Sequence, residues 1–446
     1  MSYLMTLGCD WRSNAFQSAA AAAPAALRTE SRAPEYYTCQ TLPRADTTPT
    51  RDPRPTMSLE HRSQLAECVT RATAAYQDVV ATTDDPVDRV VALHASRPYG
   101  DARHTLEAAL RREPDLKIFD GSMVQLRGSW HRVDYCDLAA WLAERTASVG
   151  PEIALSDVDR YLAASSYPYR IMATLSGVSV DHECVFTDTI SLQPASVLPE
   201  YVLKPPYLGI SEWLHRPEAV MVMTLEQVKR HVRQHQTKTY EHEDEREGQA
   251  LRDAVLCLTL AGPSGPVIHT VWYRVDPSIP LRIGFGTGSP WPVETGFAVK
   301  LSRDQTAHAA EMYHILGSLD VHHQARVRVA LGRLNSSIRR SSIVDAAIDL
   351  RITLESLFID KRERGAQAYK VSLRAGCLLG ADPVSRRDYS RWAKRLYQIG
   401  SDAVHSGELS PEDGSWVRQA YSRVGFAIER RLLRPSVDWE QLVLGG

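Results

Sequence analysis

The sequence predicts an α+β chain of several domains, in which a C-terminal all-α bundle stands behind a mixed α/β region. Three observations predict this. From about residue 301 onward, apolar residues recur at helical spacing with short polar connections between the runs. Between about 166 and 300, β-branched runs such as Val267–Val275 alternate with turn residues. The 446 residues suffice for two or three cores, and a hydrophobic fraction of 43% with 24% charged residues is that of an ordinary soluble protein.

Residues 1–56 are rich in Ala, Pro, Thr and Arg and carry little hydrophobic periodicity. Such a segment buries too little apolar surface to offset its ordering entropy, so disorder is expected, and Met57-Ser58 is the more natural start. The Ala-rich stretch from Ala19 to Leu27 is broken by Pro24 and is short for a signal peptide. No run of about 18 apolar residues exists, which argues against a membrane helix.

Residues 57–165 are mainly helical in expectation. Leu65, Cys68, Val69, Ala72 and Ala75 fall at helical spacing, Asp137–Glu144 forms a second helix, and Met123–Leu126 is a short strand. The β-rich region 166–300 is expected to be interrupted by helices near Leu225–Gln236 and Glu247–Leu260. In the bundle, 301–434, Ser302 caps a helix running to about Leu316, and helices follow at about 322–340 and 342–359. A short helix lies between Gly365 and the Ala381-Asp382-Pro383 turn, and a long one at about 385–405. Ser410-Pro411-Glu412-Asp413 opens the last, with a capping Ser, a Pro in the first turn and acids against the positive helix end, and it stops before Pro435. Residues 435–446 are expected to be a tail.

Charge is uneven. Residues 322–434 hold 21 Lys and Arg against 12 Asp and Glu, in a chain whose net charge is −2. A basic module on an otherwise acidic chain suits a polyanionic partner, although Arg-rich helix faces are often merely solvated. The seven cysteines are scattered without a Cys-x-x-Cys pair, which speaks against zinc knuckles and a disulfide framework and fits a reducing cytoplasm.

Five blocks occur in a characteristic order: Arg339–Ser342, Asp349–Leu357, Ser372–Gly380, Arg386–Tyr397 and Val404–Gly407. Together they resemble the HEPN superfamily of all-helical, RNA-directed domains, most closely its Apea-like branch, over about 110 residues. The resemblance implies a HEPN-like bundle that pairs as a homodimer and acts on RNA, transfer RNA among the candidates, in bacterial defence or toxin systems. An upstream region would sense an unidentified trigger or partner protein. In active members a His acts as general base or acid while the RNA 2′-OH attacks the neighbouring phosphate, an Arg five positions earlier neutralises the developing charge, and no metal or other cofactor takes part. Imidazole suits the first task by its near-neutral pKa, and the guanidinium fork suits the second.

Here the His is His405, but the Arg position is Gly400. Removing a donor aimed at developing anionic charge costs on the order of 10²–10³ in rate. Two readings follow: a domain that binds RNA with weak or absent ribonuclease activity, or compensation by a nearby guanidinium, Arg395 before Arg391. Ser401 and Asp402 complete the candidate catalytic set, and Arg339, Arg340, Arg391 and Arg395 the candidate RNA contacts. Restoring Arg at position 400 is expected to be tolerated, since Arg is the better helix former. Glu355 and Arg374 are expected to form a structural pair between bundle helices. From a different class comes a scaffold or sensor that uses an inactive bundle for dimerisation.

Other motifs are weaker. Gly284–Pro290 imitates a phosphate loop but lacks Gly-Lys-Ser/Thr and a following helix, so it is read as a loop. His231 and His235, four apart on the expected helix, and His308, Glu311, His314, His322 and His323 have metal-compatible residue types without a complete ligand pattern, so no metal is expected.

Overall fold

The computed structural model of the chain describes residues 59–83, 86–127, 129–198, 217–232, 245–288, 298–360 and 363–444. Residues 1–56, His235 and His242 lie outside them. The architecture is mixed α+β with a C-terminal helical region, and residues 57–446 group as one compact unit. Among the described residues no helix is long and apolar enough to cross a membrane.

Helices α1 (Leu59–Ala81), α2 (Pro86–Ala95) and α3 (Arg97–Leu110) lead into a hairpin, β1 (Ser122–Leu126) and β2 (Ser129–Val133). Then come α4 (Tyr135–Val149) and α5 (Pro151–Ala163). The β-rich part contributes β3 (Ser166–Ser176), β4 (Val178–Ser179), β5 (Cys184–Val185), β6 (Ile190–Pro194), β7 (Ala219–Val228), β8 (His231–Val232), β9 (Val267–Val275), β10 (Gly284–Gly288) and β11 (Val299–Lys300), with α6 (Glu245–Cys257) between β8 and β9. A six-stranded sheet has the order β10-β9-β3-β7-β6-β5, each neighbour antiparallel, while β8 joins the hairpin in the order β2-β1-β8.

Two expectations fail here. Leu225–Gln236 does not begin as a helix: residues 225–228 end β7 and His231–Val232 form β8, with Lys229 and Arg230 between them. The Leu-Glu-Gln-Val-Lys-Arg stretch has helical propensity, but the preceding Ala-Val-Met-Val-Met commits the chain to a ten-residue register against β3, from Leu175 opposite Ala219 to Ser166 opposite Val228. Tertiary pairing overrides local preference. Likewise Gly284–Gly288 is an edge strand paired with β9, not a loop; an edge strand tolerates glycine where a central one would not.

The bundle consists of α7 (Arg303–Ser318), α8 (Val321–Arg339), α9 (Ile343–Phe358), α10 (Gln367–Leu379), α11 (Pro383–Ser406) and α12 (Pro411–Leu433), followed by a short α13 (Trp439–Leu444) where a tail is expected. Capping sets the starts. Ser302 and Gln305 form a reciprocal capping box, and the Ser342 and Ser410 hydroxyls accept from the backbone of Asp345 and Asp413. Trp439, buried, anchors α13 against Phe358.

Two cores share a seam. The first joins α1, α3, α4 and α5 to one face of the large sheet through Leu106, Leu138, Tyr161, Ile171 and Met221. The second fills the bundle with Leu331, Leu350, Leu354, Leu396 and Ile428. Helix α6 gives Leu251, Ala254 and Val255 to the first core, while Cys257 and Leu260 enter the second. Helix α7 divides similarly, Ala309 and Ala310 from Met312 and Leu316. Along the seam Arg328 clasps the buried Asp253 at 2.8 Å, and the Asn335 amide donates to Thr259 and to the Pro266 carbonyl.

Candidate nucleic-acid interface

Helix α11 carries the residues singled out by the sequence. Asp382 caps its start by accepting from the Val384 and Ser385 amides, and those bonds, the Ser385 one foremost, hold its carboxyl below the usual range. Gly407, at φ 73°, ends it in the left-handed conformation that glycine adopts without steric cost. Between these ends one face, Trp392, Leu396, Ile399, Gly400 and Ala403, is buried in the bundle.

The opposite face is exposed and basic. Arg387, Arg391 and Lys394 follow one another at spacings of four and three, and His405 stands 18 residues beyond Arg387. At about 100° per residue, 18 residues make five whole turns, so Arg387 and His405 share one line about 27 Å long, with Arg391 and Lys394 within about 40° of it. Among the described residues none of these three cations forms an ion pair, and His405 is exposed with neither a hydrogen bond nor an ion pair. Arg387 Nε donates to the Pro383 carbonyl at 3.2 Å, leaving the rest of its guanidinium outward.

Gly400 turns out to be a packing residue. A Cβ there would stand 2.6 Å from Cβ of Arg351 and 2.9 Å from the Ala347 carbonyl oxygen, both on α9. The expectation that Arg would be tolerated at this position is therefore corrected: α9 and α11 approach too closely for any side chain. Position 400 also lies about 140° around the helix from His405, inward where the imidazole is outward.

The remaining candidates are placed as follows. Arg395 is not directed at His405; it pairs with Asp413 at the start of α12. Asp402 accepts from Gln398 Nε2 at 2.8 Å, and Ser401 is half-buried. Arg340 and Arg333 both bind the buried Asp349, and Arg339 Nε donates to Asn335, so the α8 arginines serve internal contacts away from the α11 row.

The expected Glu355–Arg374 pair is not formed. Arg374 reaches past the end of α9 to the Phe358 carbonyl and makes a two-pronged pair with Glu363, 2.6 Å on each prong. Glu355, one turn earlier, faces α11 instead: it accepts from Arg351 Nε at 3.0 Å and from the Tyr397 hydroxyl at 2.8 Å. Burial, then the bond to Glu355, pushes the Tyr397 phenol up. The register of α9 decides the exchange of partners.

Sequence reasoning named Arg391 but missed Arg387 and Lys394, although their spacing with His405 was there to be counted. It also missed a half-buried constellation in the N-terminal half. His231 Nδ1 lies 2.9 Å from Ser122 Oγ, and Nε2 lies 2.7 Å from the Tyr161 hydroxyl. Burial, helped by Lys229, lowers the imidazole to about 4. With both nitrogens occupied and the ring neutral, His231 ties β8 to β1 and α5. Among the described residues no group of three His, Cys, Asp or Glu side chains is arranged to hold a metal ion. His308 meets Glu429 at 3.0 Å, and His323 meets Asp320.

Comparison with known proteins finds no match. No family model, curated protein or solved structure matches the chain.

Proposed function

We propose that the chain is an RNA-directed protein of the HEPN type that binds RNA through the outer face of α11 and cuts it weakly or not at all. The observation that carries this reading is the row Arg387, Arg391 and Lys394, exposed, without acid partners and ending at His405. Three cations along one helix face offer phosphate contacts without base reading, so affinity should be sequence-tolerant and salt-dependent. Weak cutting follows from the site's composition: the guanidinium implied by the family resemblance has no place at Gly400, and Arg395 is engaged by Asp413. From the same resemblance we propose a homodimer acting as a bacterial defence or toxin-type effector, and from the scattered cysteines of the sequence a cytoplasmic location.

RNA-binding isotherms at several salt concentrations, with wild type and the triple variant Arg387→Glu/Arg391→Glu/Lys394→Glu, test it. The wild type should bind single-stranded RNA at low salt, and the variant should lower the salt slope by about 2 and bind at least roughly tenfold more weakly. No binding by the wild type, or equal binding by the variant, removes the reading. The scaffold alternative draws on two exposed apolar residues of the same helix, Val384 and Val404. It would stand if sedimentation shows a dimer that binds no RNA.

A further inference from the structure

At the far end of the bundle, where α8, the end of α9, α12 and α13 meet, lies an open cavity of about 380 Å³. Arg431, from α12, lines it while being only 5% exposed. Its guanidinium donates to two carbonyl oxygens, Leu357 at 3.3 Å and Arg434 at 2.9 Å, and forms no ion pair with a described residue. It shares the Trp439 indole with Arg374, the two guanidinium carbons standing 5.2 and 5.0 Å from the ring centre. The neighbouring cations are already spent: Arg374 on Glu363, and Arg326 on Asp360 and the carbonyls of Ser356 and Ile359. Of these three described arginines, Arg431 is the one without an acid partner. Burial, reinforced by Arg326 and Arg374, pulls it down to about 10, with Asp360 opposing.

We propose that this cavity binds a phosphate monoester, with Arg431 as the seat of the phosphate. A buried guanidinium satisfied only by carbonyls carries a large desolvation cost that an anion would offset, and its planar fork matches phosphate oxygens. Besides Arg431 of α12, His322 and His323 of α8 line the cavity, and His323 Nδ1 already meets Asp320. Two carboxylates also stand on the wall: Asp360, neutralised by Arg326 beside it, and Asp438, which accepts from the Gln441 amide at the start of α13. The volume exceeds what inorganic phosphate needs and falls in the range of small-molecule sites. Pro435 and Val437 supply an apolar wall for the ester's body. The shared chemistry is a terminal phosphate, carried by a free nucleotide or by the 5′ end of an RNA. None of these residues belongs to the α11 row.

Calorimetric titration of the full chain with adenosine 5′-monophosphate, adenosine and inorganic phosphate tests this. The monophosphate should bind, inorganic phosphate should compete with it, and adenosine should not bind. Arg431→Met, which keeps most of the packing stem, should weaken binding by about tenfold or more. Hydrogen exchange on the wild type gives a second measurement that does not depend on the variant folding: the monophosphate should slow exchange of the amides at 436–441. A short RNA with a 5′-phosphate binding more tightly than its 5′-hydroxyl twin identifies the RNA end as the source, and equal binding identifies the free nucleotide. No monophosphate binding at millimolar concentration, binding by adenosine alone, undiminished binding by folded Arg431→Met, or no protection at 436–441 overturns the proposal.

Discussion

Gly400 and His231 show how single residues carry consequences the sequence does not announce. Gly400→Ala should destabilise the chain by about 1–3 kcal/mol through overpacking, although Ala is the better helix former by about 1 kcal/mol. Urea denaturation checks it; a gain in stability would mean that α9 and α11 can part at no cost. Gly400→Arg should be worse still and should not create ribonuclease activity. His231 predicts a pH dependence of definite sign. Its folded-state pKa of about 4 lies below the ordinary 6.5, so the folded state binds fewer protons than the unfolded one. The stability it contributes is complete above about 6.5 and is lost as pH falls toward 4. Between pH 7.5 and 5 the loss should reach up to about 2 kcal/mol, less whatever solvent screening removes. His231→Gln should flatten that part of the profile in denaturation midpoints measured across pH.

At the scale of elements, the helices of the bundle were legible because their signals are local. Ser302, Ser342, Ser410 and Asp382 each cap a helix within a few residues of the expected start. Ser302→Ala should accordingly cost about 1 kcal/mol in thermal or chemical denaturation, and no loss would show that the α7 start is held by packing alone. What stayed hidden depends on partners distant in sequence. β7 is a strand because β3 and β6 flank it, and β10 because β9 offers an edge. The candidate site was legible to the same degree. His405 and Arg391 lie on the outer face of α11, but that Arg395 turns to Asp413, or that position 400 faces α9, needed the angles between helices. The Arg431 cavity needed four elements: α8, the end of α9, α12 and α13.

For the whole molecule the seam matters most. Because α6 and α7 serve both cores, residues 57–446 should unfold in one transition, seen as coincident curves by circular dichroism and tryptophan fluorescence. Leu260→Ala, at the seam, should destabilise the whole by about 2–4 kcal/mol rather than loosen one half. A fragment limited to 301–446 lacks Cys257 and Leu260 and leaves their contacts in the second core open, so its melting temperature should fall by about 10 °C or more relative to the full chain. Separate transitions, or a fragment as stable as the whole, would show two independent modules.

The seam also orders events during synthesis. The chain leaves the ribosome from its N-terminus, so Cys257 at the end of α6 and Leu260 just beyond it emerge well before their partners in the second core, which begin at Met312 and end at Trp439. At about 5–20 residues per second that interval lasts on the order of ten seconds or more. The first core receives its last buried residues, Ala309 and Ala310, before the first of these partners is made. The nascent chain thus passes through its most vulnerable period with the sheet assembled and its bundle-facing side bare, and a holding chaperone would act on that side.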